Sequence, residues 1–168
     1  MDGRAMEGQA GSAAKLELET FLPYRLNVLA TIVSQGLSGI YAKRYGIGVP
    51  EWRVMATLGQ FGAMTAKDIG SHSRMHKTKV SRAVAVLEKR LLVQRRANRQ
   101  DLREAFLSLS EHGRAIYDDL VPVALTFAAE LTQGLTRTER AELDILLAKL
   151  MDRGLKLLRD NAEANGED

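Results

Sequence analysis

The chain has 168 residues, enough for one domain with a real core, and its 27% charged and 45% hydrophobic residues are proportions of a globular protein. It has no cysteine, which excludes disulfides, thiolate metal sites and thiol-based oxidant sensing. No apolar run approaches the roughly 20 residues of a membrane span and no secretory pattern opens the chain, so a cytoplasmic location and no membrane partner are expected.

Net charge is only +3, but it is unevenly placed. Between Lys77 and Arg103 nine Lys or Arg stand against two acids, Glu88 and Asp101. That local excess of +7 leaves −4 for the rest of the chain. Such segregation points to a polyanionic partner, nucleic acid before membrane.

In chain order, residues 1–14 are small and polar and read as a flexible arm. Leu16 to about Tyr45 reads as a long helix, with Pro23 near its true start and Gly46 and Gly48 ending it. Leu22, Leu26, Leu29, Val33, Leu37 and Ile40 recur along it as a buried stripe. Pro50 begins a second helix that stops at Gly62. Thr65-Ala66-Lys67-Asp68 has capping-box form and opens a short helix ending between Ser71 and Arg74. The next helix runs from about Lys77 to Leu91. Val93–Ala97 and Arg103–Leu109 are expected as two strands around the polar tip NRQDL. Ser110 can cap a helix through about Gln133, bent by Pro122. A second capping box, Thr136 to Glu139, opens a last helix to about Arg159, and 161–168 read as a flexible tail.

Two strands are too few for an independent sheet, so the expected fold is mainly α with a small β-hairpin wing. The first and last helices carry more apolar surface than the middle can cover; Leu143, Leu146, Leu147, Leu150, Leu157 and Leu158 lie in the last alone. A second copy of the chain is therefore expected to pair with them, most simply as a two-fold dimer. The resulting division is 15–48 and 111–160 as dimerisation helices and 49–110 as the segment carrying the basic excess.

The helix HKTKVSRAVAVLEKR is loaded with cations at the end where the helix dipole disfavours them. With Val80 centred on one face, steps of 100° per residue put Val84, Leu87 and Leu91 within about 40° of it. The opposite face carries Thr78, Arg82, Ala85 and Lys89, flanked by Lys79, Ser81 and Val86. One side is core; the other is basic, hydroxylic and small. A solvated surface helix would share this pattern. Here, however, a short capped helix precedes it across a tight turn and a basic hairpin follows, which is helix-turn-helix order. Phosphates would supply the anion that the helix end lacks. At the hairpin tip, Asp101 can aim the Arg103 guanidinium through charge-assisted hydrogen bonds, and a narrow minor groove attracts such an Arg. The competing role is a surface ion pair.

VSRAV, LEKRLLVQR, DLR and LSLSEHG, preceded by TAKDIGSHS and by VPEWRVMATL, together resemble MarR-type bacterial regulators over about residues 20–160. The resemblance implies a winged helix-turn-helix over 49–110. It also implies an obligate homodimer of triangular outline, held by its N- and C-terminal helices, that reads a pseudo-palindrome in double-stranded DNA. Carried over, Thr78, Lys79, Ser81 and Arg82 become major-groove or phosphate contacts and Arg103 the wing's minor-groove residue; with Lys77, Arg96, Arg99 and Asp101 of the same basic helix and hairpin they make up the candidate DNA-binding residues. Two positions depart from the family pattern. His76 stands where a small acidic or amide cap is usual, and Leu102 where glycine or a polar residue is frequent.

Family members often release DNA when a small aromatic or anionic compound binds between the dimer helices and the winged domain. The implied function is a ligand-responsive repressor of this type. Tyr24, Arg25 and Asn27 near the start of the first helix, with Trp52 and Arg53 on the second, are the candidate ligand-binding residues. Trp52 has core, and the arginines solvent, as competing roles. FLPYRLN is similar to the opening of regulators of aromatic-acid degradation, so the expected effector is an aromatic acid, such as a hydroxycinnamate, or its coenzyme A thioester. No cofactor is expected. His72 and His76 are four residues apart but separated by a turn, so no zinc site is expected. No G-x-S-x-G, P-loop or HExxH pattern occurs, so the chain is not expected to be an enzyme. The alternative reading is a ligand-independent architectural or general nucleic-acid-binding protein.

Overall fold

The computed structural model describes residues 15–97 and 104–164. Helix α1 (Leu22–Tyr45) starts six residues later than the Leu16 read from the sequence. Pro23 sits in its first turn, where a missing N–H costs nothing, and the chain before it forms only a turn. Gly46, at φ 60°, ends α1 by donating its N–H to the Ala42 carbonyl at 2.8 Å. This left-handed stop is the kind that glycine makes without strain.

Helix α2 (Val49–Phe61) follows, then a two-residue strand β1 (Met64–Thr65) and helix α3 (Ala66–Ser73). The Thr65–Asp68 capping box forms as expected: the Asp68 N–H donates to Thr65 Oγ1 and the Thr65 N–H to Asp68 Oδ2, both at 3.2 Å. Helix α4 (Lys77–Lys89) leads into β2 (Val93–Ala97) and β3 (Ala105–Leu109). Helix α5 (Glu111–Leu131) contains Pro122 and is capped by the Ser110 hydroxyl, which accepts from the Gly113 N–H. The Thr136–Glu139 box opens α6 (Arg137–Ala164). That helix runs into the segment expected as a tail.

The sheet has three strands rather than two, in the order β1-β3-β2, all antiparallel. Met64 pairs with Leu107 and Thr65 with Phe106; β2 runs beside β3 from Val93 opposite Leu109 to Ala97 opposite Ala105. A two-residue strand has no alternation to read, so β1 becomes visible only through its partner. Leu107 and Leu109 are buried and Ala105 half-buried, so this face of β3 anchors the wing to the core.

The core lies in the middle of the chain. Val54, Met55 and Leu58 of α2, Ile69 of α3, and Val80, Val84 and Leu87 of α4 are covered almost completely. Leu91 is a correction. Helix α4 stops two residues earlier, and Leu91 sits at φ 58° with 73% of its surface exposed. The next residue, Leu92, is buried instead, and Ala83 joins the inner face of the helix. The first-helix stripe also needs correcting: Leu22, Leu26 and Leu29 are exposed in the single chain. Among the described residues no helix is long and apolar enough to cross a membrane.

Candidate nucleic-acid interface

Helices α3 and α4 are joined by Arg74, Met75 and His76. Arg74 turns the chain in a left-handed conformation at φ 53°, and the Met75 N–H donates to the Gly70 carbonyl at 3.1 Å. Met75 is buried, so an apolar side chain pins the turn to the core. Gly70 allows close approach here, since a Cβ there would lie 3.2 Å from the Met75 carbonyl oxygen. His76 caps α4 in place of the usual small residue: its Nδ1 accepts from the Thr78 N–H at 3.4 Å.

The outer surface of α4 matches the expectation residue by residue. Lys77, Thr78, Lys79, Ser81, Arg82, Ala85 and Lys89 are exposed, while Val80, Ala83, Val84 and Leu87 are buried. The first turn contains no acid, and among the described residues no carboxylate lies within ion-pair distance of Lys77, Lys79 or Arg82. Between α3 and the start of α4 lies an open depression of about 540 Å³, bordered by Lys67, Ser71, His76 and Lys77. Lys67 was missed from sequence because it stands outside the basic run; only the turn brings it beside Lys77.

The structure also sorts the basic run into two kinds of residue. Arg95 is committed to Glu88, with Nε–Oε1 at 2.8 Å and Nη2–Oε2 at 3.2 Å, a bidentate pair that holds the guanidinium charged. Arg90 is committed to backbone carbonyls at the end of α1. Neither belongs to the open cationic surface. Arg96, on β2, is exposed. Arg99, Asp101 and Arg103, like the Leu102 position and the whole NRQDL tip, lie outside the described residues.

The ligand-binding candidates are not brought into one cleft within a single chain. Trp52 is half-buried between Tyr41 and Tyr117, with ring centroids 5.6 Å and 6.2 Å away, and belongs to the edge of the core. Tyr24, Arg25 and Asn27 are exposed near the other end of α1. Seventeen helical residues separate Tyr24 from Tyr41, or about 25 Å at the usual rise. Tyr24 and Arg25 border a shallow apolar depression formed by α1 itself. Arg53 is exposed beside Trp52. Among the described residues no group of three or more His, Cys, Asp or Glu side chains could hold a metal.

Around Trp52 the helices are firmly joined. The Tyr45 hydroxyl donates to Asp119 Oδ2 at 2.7 Å, and Arg44 approaches the same oxygen at 3.3 Å. This links α1 to α5. The hydrogen bond to Asp119 is the chief reason that the Tyr45 phenol titrates above its ordinary range.

Comparison with known proteins agrees with this geometry. Residues 47–105 match the MarR family. An uncharacterized HTH-type transcriptional regulator of Bacillus subtilis, YwaE, is 25% identical over 108 residues, covering 64% of this chain and 63% of that protein. The chain thus spans less than two thirds of the length of the curated relative it matches. A crystal structure of a MarR/EmrR family regulator from Acinetobacter sp. ADP1 superposes with a TM-score of 0.77 at 25% identity, over 84% of this chain and 99% of that one. Bordetella bronchiseptica BpsR, whose DNA binding is regulated by 6-hydroxynicotinic acid, shares the fold with a TM-score of 0.64 at 22% identity, over 76% of this chain and 98% of its own. The winged segment is thus matched in sequence by the MarR family, and most of the chain is matched in fold by a MarR/EmrR family regulator.

Proposed function

We propose that this protein is a dimeric, double-stranded-DNA-binding transcriptional regulator of the bacterial cytoplasm, acting as a repressor. The observation that carries the reading is the outer face of α4. Its opening turns hold Lys77, Lys79 and Arg82 beside Thr78 and Ser81, all directed to solvent, with no acid in the first turn. A helix of this kind fits a major groove, where Arg and Lys meet guanine edges or phosphates and the hydroxyls meet phosphates. The wing contributes Arg96 and Arg99 as further cations, with Arg103 assigned to the minor groove by resemblance to the family and Asp101 to aiming its guanidinium. The unpaired cations supply affinity through counterion release, and a two-fold dimer supplies a palindromic operator.

The test is Arg82→Ala, titrated against an operator selected from random duplexes. Affinity is expected to fall about tenfold, and the slope of log affinity against log salt to become shallower by about one if Arg82 meets a phosphate. Operator affinity unchanged by this substitution removes α4 from the interface.

The effector belongs to the same proposal: an anionic aromatic acid or its coenzyme A thioester, with Arg25 or Arg53 as the cation that pairs with its charge. BpsR, of the same fold, is regulated by such an acid. Because Trp52 is occupied in stacking, the aromatic surface available near α1 is that of Tyr24. Isothermal titration with hydroxycinnamates and their thioesters tests this part separately from the DNA reading.

A further inference from the structure

The segment that follows the recognition helix, Arg90-Leu91-Leu92, is held from two sides by helices that lie outside the winged segment. On one side Arg90 reaches back to α1. Its Nη2 donates to the Tyr45 carbonyl at 2.6 Å and its Nη1 to the Gly46 carbonyl at 3.1 Å. A guanidinium at the end of a helix satisfies carbonyls that have no intrahelical donor and meets the negative end of the helix dipole. On the other side the start of α5 closes over the same three residues. The Ser110 hydroxyl donates to the Leu91 carbonyl at 2.6 Å, and the Ser110 N–H to the Leu92 carbonyl at 3.0 Å. Gly113 permits this approach, because a Cβ there would collide with the Leu92 carbonyl.

The end of α4 is itself built to place these groups. The Leu91 N–H donates to the Glu88 carbonyl and the Leu92 N–H to the Leu87 carbonyl, both at 2.9 Å. That is the double bond pattern of a left-handed helix stop, with Leu91 in the position glycine usually takes. Four backbone carbonyls, with the Arg90 guanidinium and Ser110 as their donors, thereby tie the end of α4 to α1 and α5.

We infer that Arg90 is a positioning residue for operator binding: its guanidinium clasps the end of α4 to the last carbonyls of α1 and so fixes the recognition helix relative to the helices that pair the two copies. Arg90 lies in the basic run but does not meet DNA. It acts by holding the two recognition helices of the dimer at one separation, which selects the spacing of the half-sites. The inference rests on the function proposed above.

The experiment compares Arg90→Ala and Arg90→Lys with the parent chain in two measurements. The first is affinity for duplexes whose half-sites lie at the selected spacing or one base pair closer or farther. For Arg90→Ala we expect about a tenfold loss at the selected spacing, as for a charge-assisted contact. The preference over the altered spacings should flatten, and the salt slope should stay as in the parent. Arg90→Lys keeps the charge with a single donor and should fall between. A salt slope shallower by about one, with the spacing preference kept, would overturn the inference by making Arg90 a phosphate contact. A lower melting temperature with affinity and preference intact would overturn it by making Arg90 a stabilising residue alone.

The second measurement needs no DNA. The chain has no cysteine, so a spin label at Val86→Cys, on the exposed flank of α4, reports the distance between the two recognition helices by pulsed electron resonance. The distribution should broaden in Arg90→Ala. An unchanged distribution contradicts the clasp even if the parent protein proves indifferent to DNA, and indifference of the parent with a broadened variant removes the DNA reading alone.

Discussion

Helix α4 covers Val80, Ala83, Val84 and Leu87 almost completely, whereas α6, with 28 residues to its 13, buries none. The two helices do not differ in having apolar residues: α6 exposes Leu143, Ile145, Leu146, Leu147, Leu150, Met151, Leu157 and Leu158. They differ in whether this chain supplies a surface to cover them. The winged segment builds most of its core by wrapping three helices on a small sheet, and Tyr41, Ile47, Ile116 and Leu120 from the flanking segments complete it. The terminal helices are too long and too one-sided to close on themselves, and a contiguous exposed apolar face of this kind needs a partner. A second copy of the chain is the proposed one.

The strongest way to break the comparison is to charge the uncovered face. Leu146→Glu combined with Leu150→Glu places carboxylates where the dimer would bury them, at a cost of several kcal/mol per uncompensated ion. Sedimentation should then report particles of the single-chain mass, 18.6 kDa, in place of particles of twice that mass. If the parent chain already sediments at 18.6 kDa, the apolar face belongs to some other partner.

Next in size is the seam between the two regions. Gly113→Ala drives a Cβ into the Leu92 carbonyl and should cost about 2–3 kcal/mol, the upper part of the range for overpacking, read as a lowered urea midpoint. Leu91→Gly should act in the opposite direction. A leucine held at positive φ carries about 1–2 kcal/mol of backbone strain, and glycine relieves it while adding freedom to the unfolded chain. The net gain expected is up to about 1 kcal/mol, measured by the same melts. No gain would show that the exposed Leu91 side chain has contacts in the dimer that offset its strain.

The smallest effect concerns the helix caps. Hydrogen bonds from the Thr65 side chain and backbone hold the Asp68 carboxyl below its ordinary range, and those from Thr136 do the same for Glu139. A carboxylate whose folded pKa is depressed contributes stability that is present above its unfolded pKa and is lost as pH falls through the folded value. The stability advantage of the parent over Thr65→Ala, about 1 kcal/mol near neutrality for a lost N-cap, should therefore shrink as acid protonates Asp68. An advantage independent of pH would assign it to the Thr65 hydroxyl alone.

Much of this molecule follows from local rules that one sequence displays. The inner and outer faces of α4 depend only on spacing along a helix, so Val80, Val84 and Leu87 on one side and Arg82 and Lys89 on the other were legible in the unaided chain. Both capping boxes and the stop at Gly46 were legible for the same reason: each donor and acceptor lies within four residues of its partner. Tertiary structure decided what depends on distant partners. Strand β1 exists because β3 lies beside Met64 and Thr65; Trp52 belongs to the edge of the core because Tyr41 and Tyr117 stack on it. Arg90 and Arg95 share the local composition of the cations that face solvent, yet carbonyls 44 and 45 residues away hold one and Glu88 holds the other. Charge along a chain sums by position, whereas its use is settled by which groups the fold brings within hydrogen-bond reach.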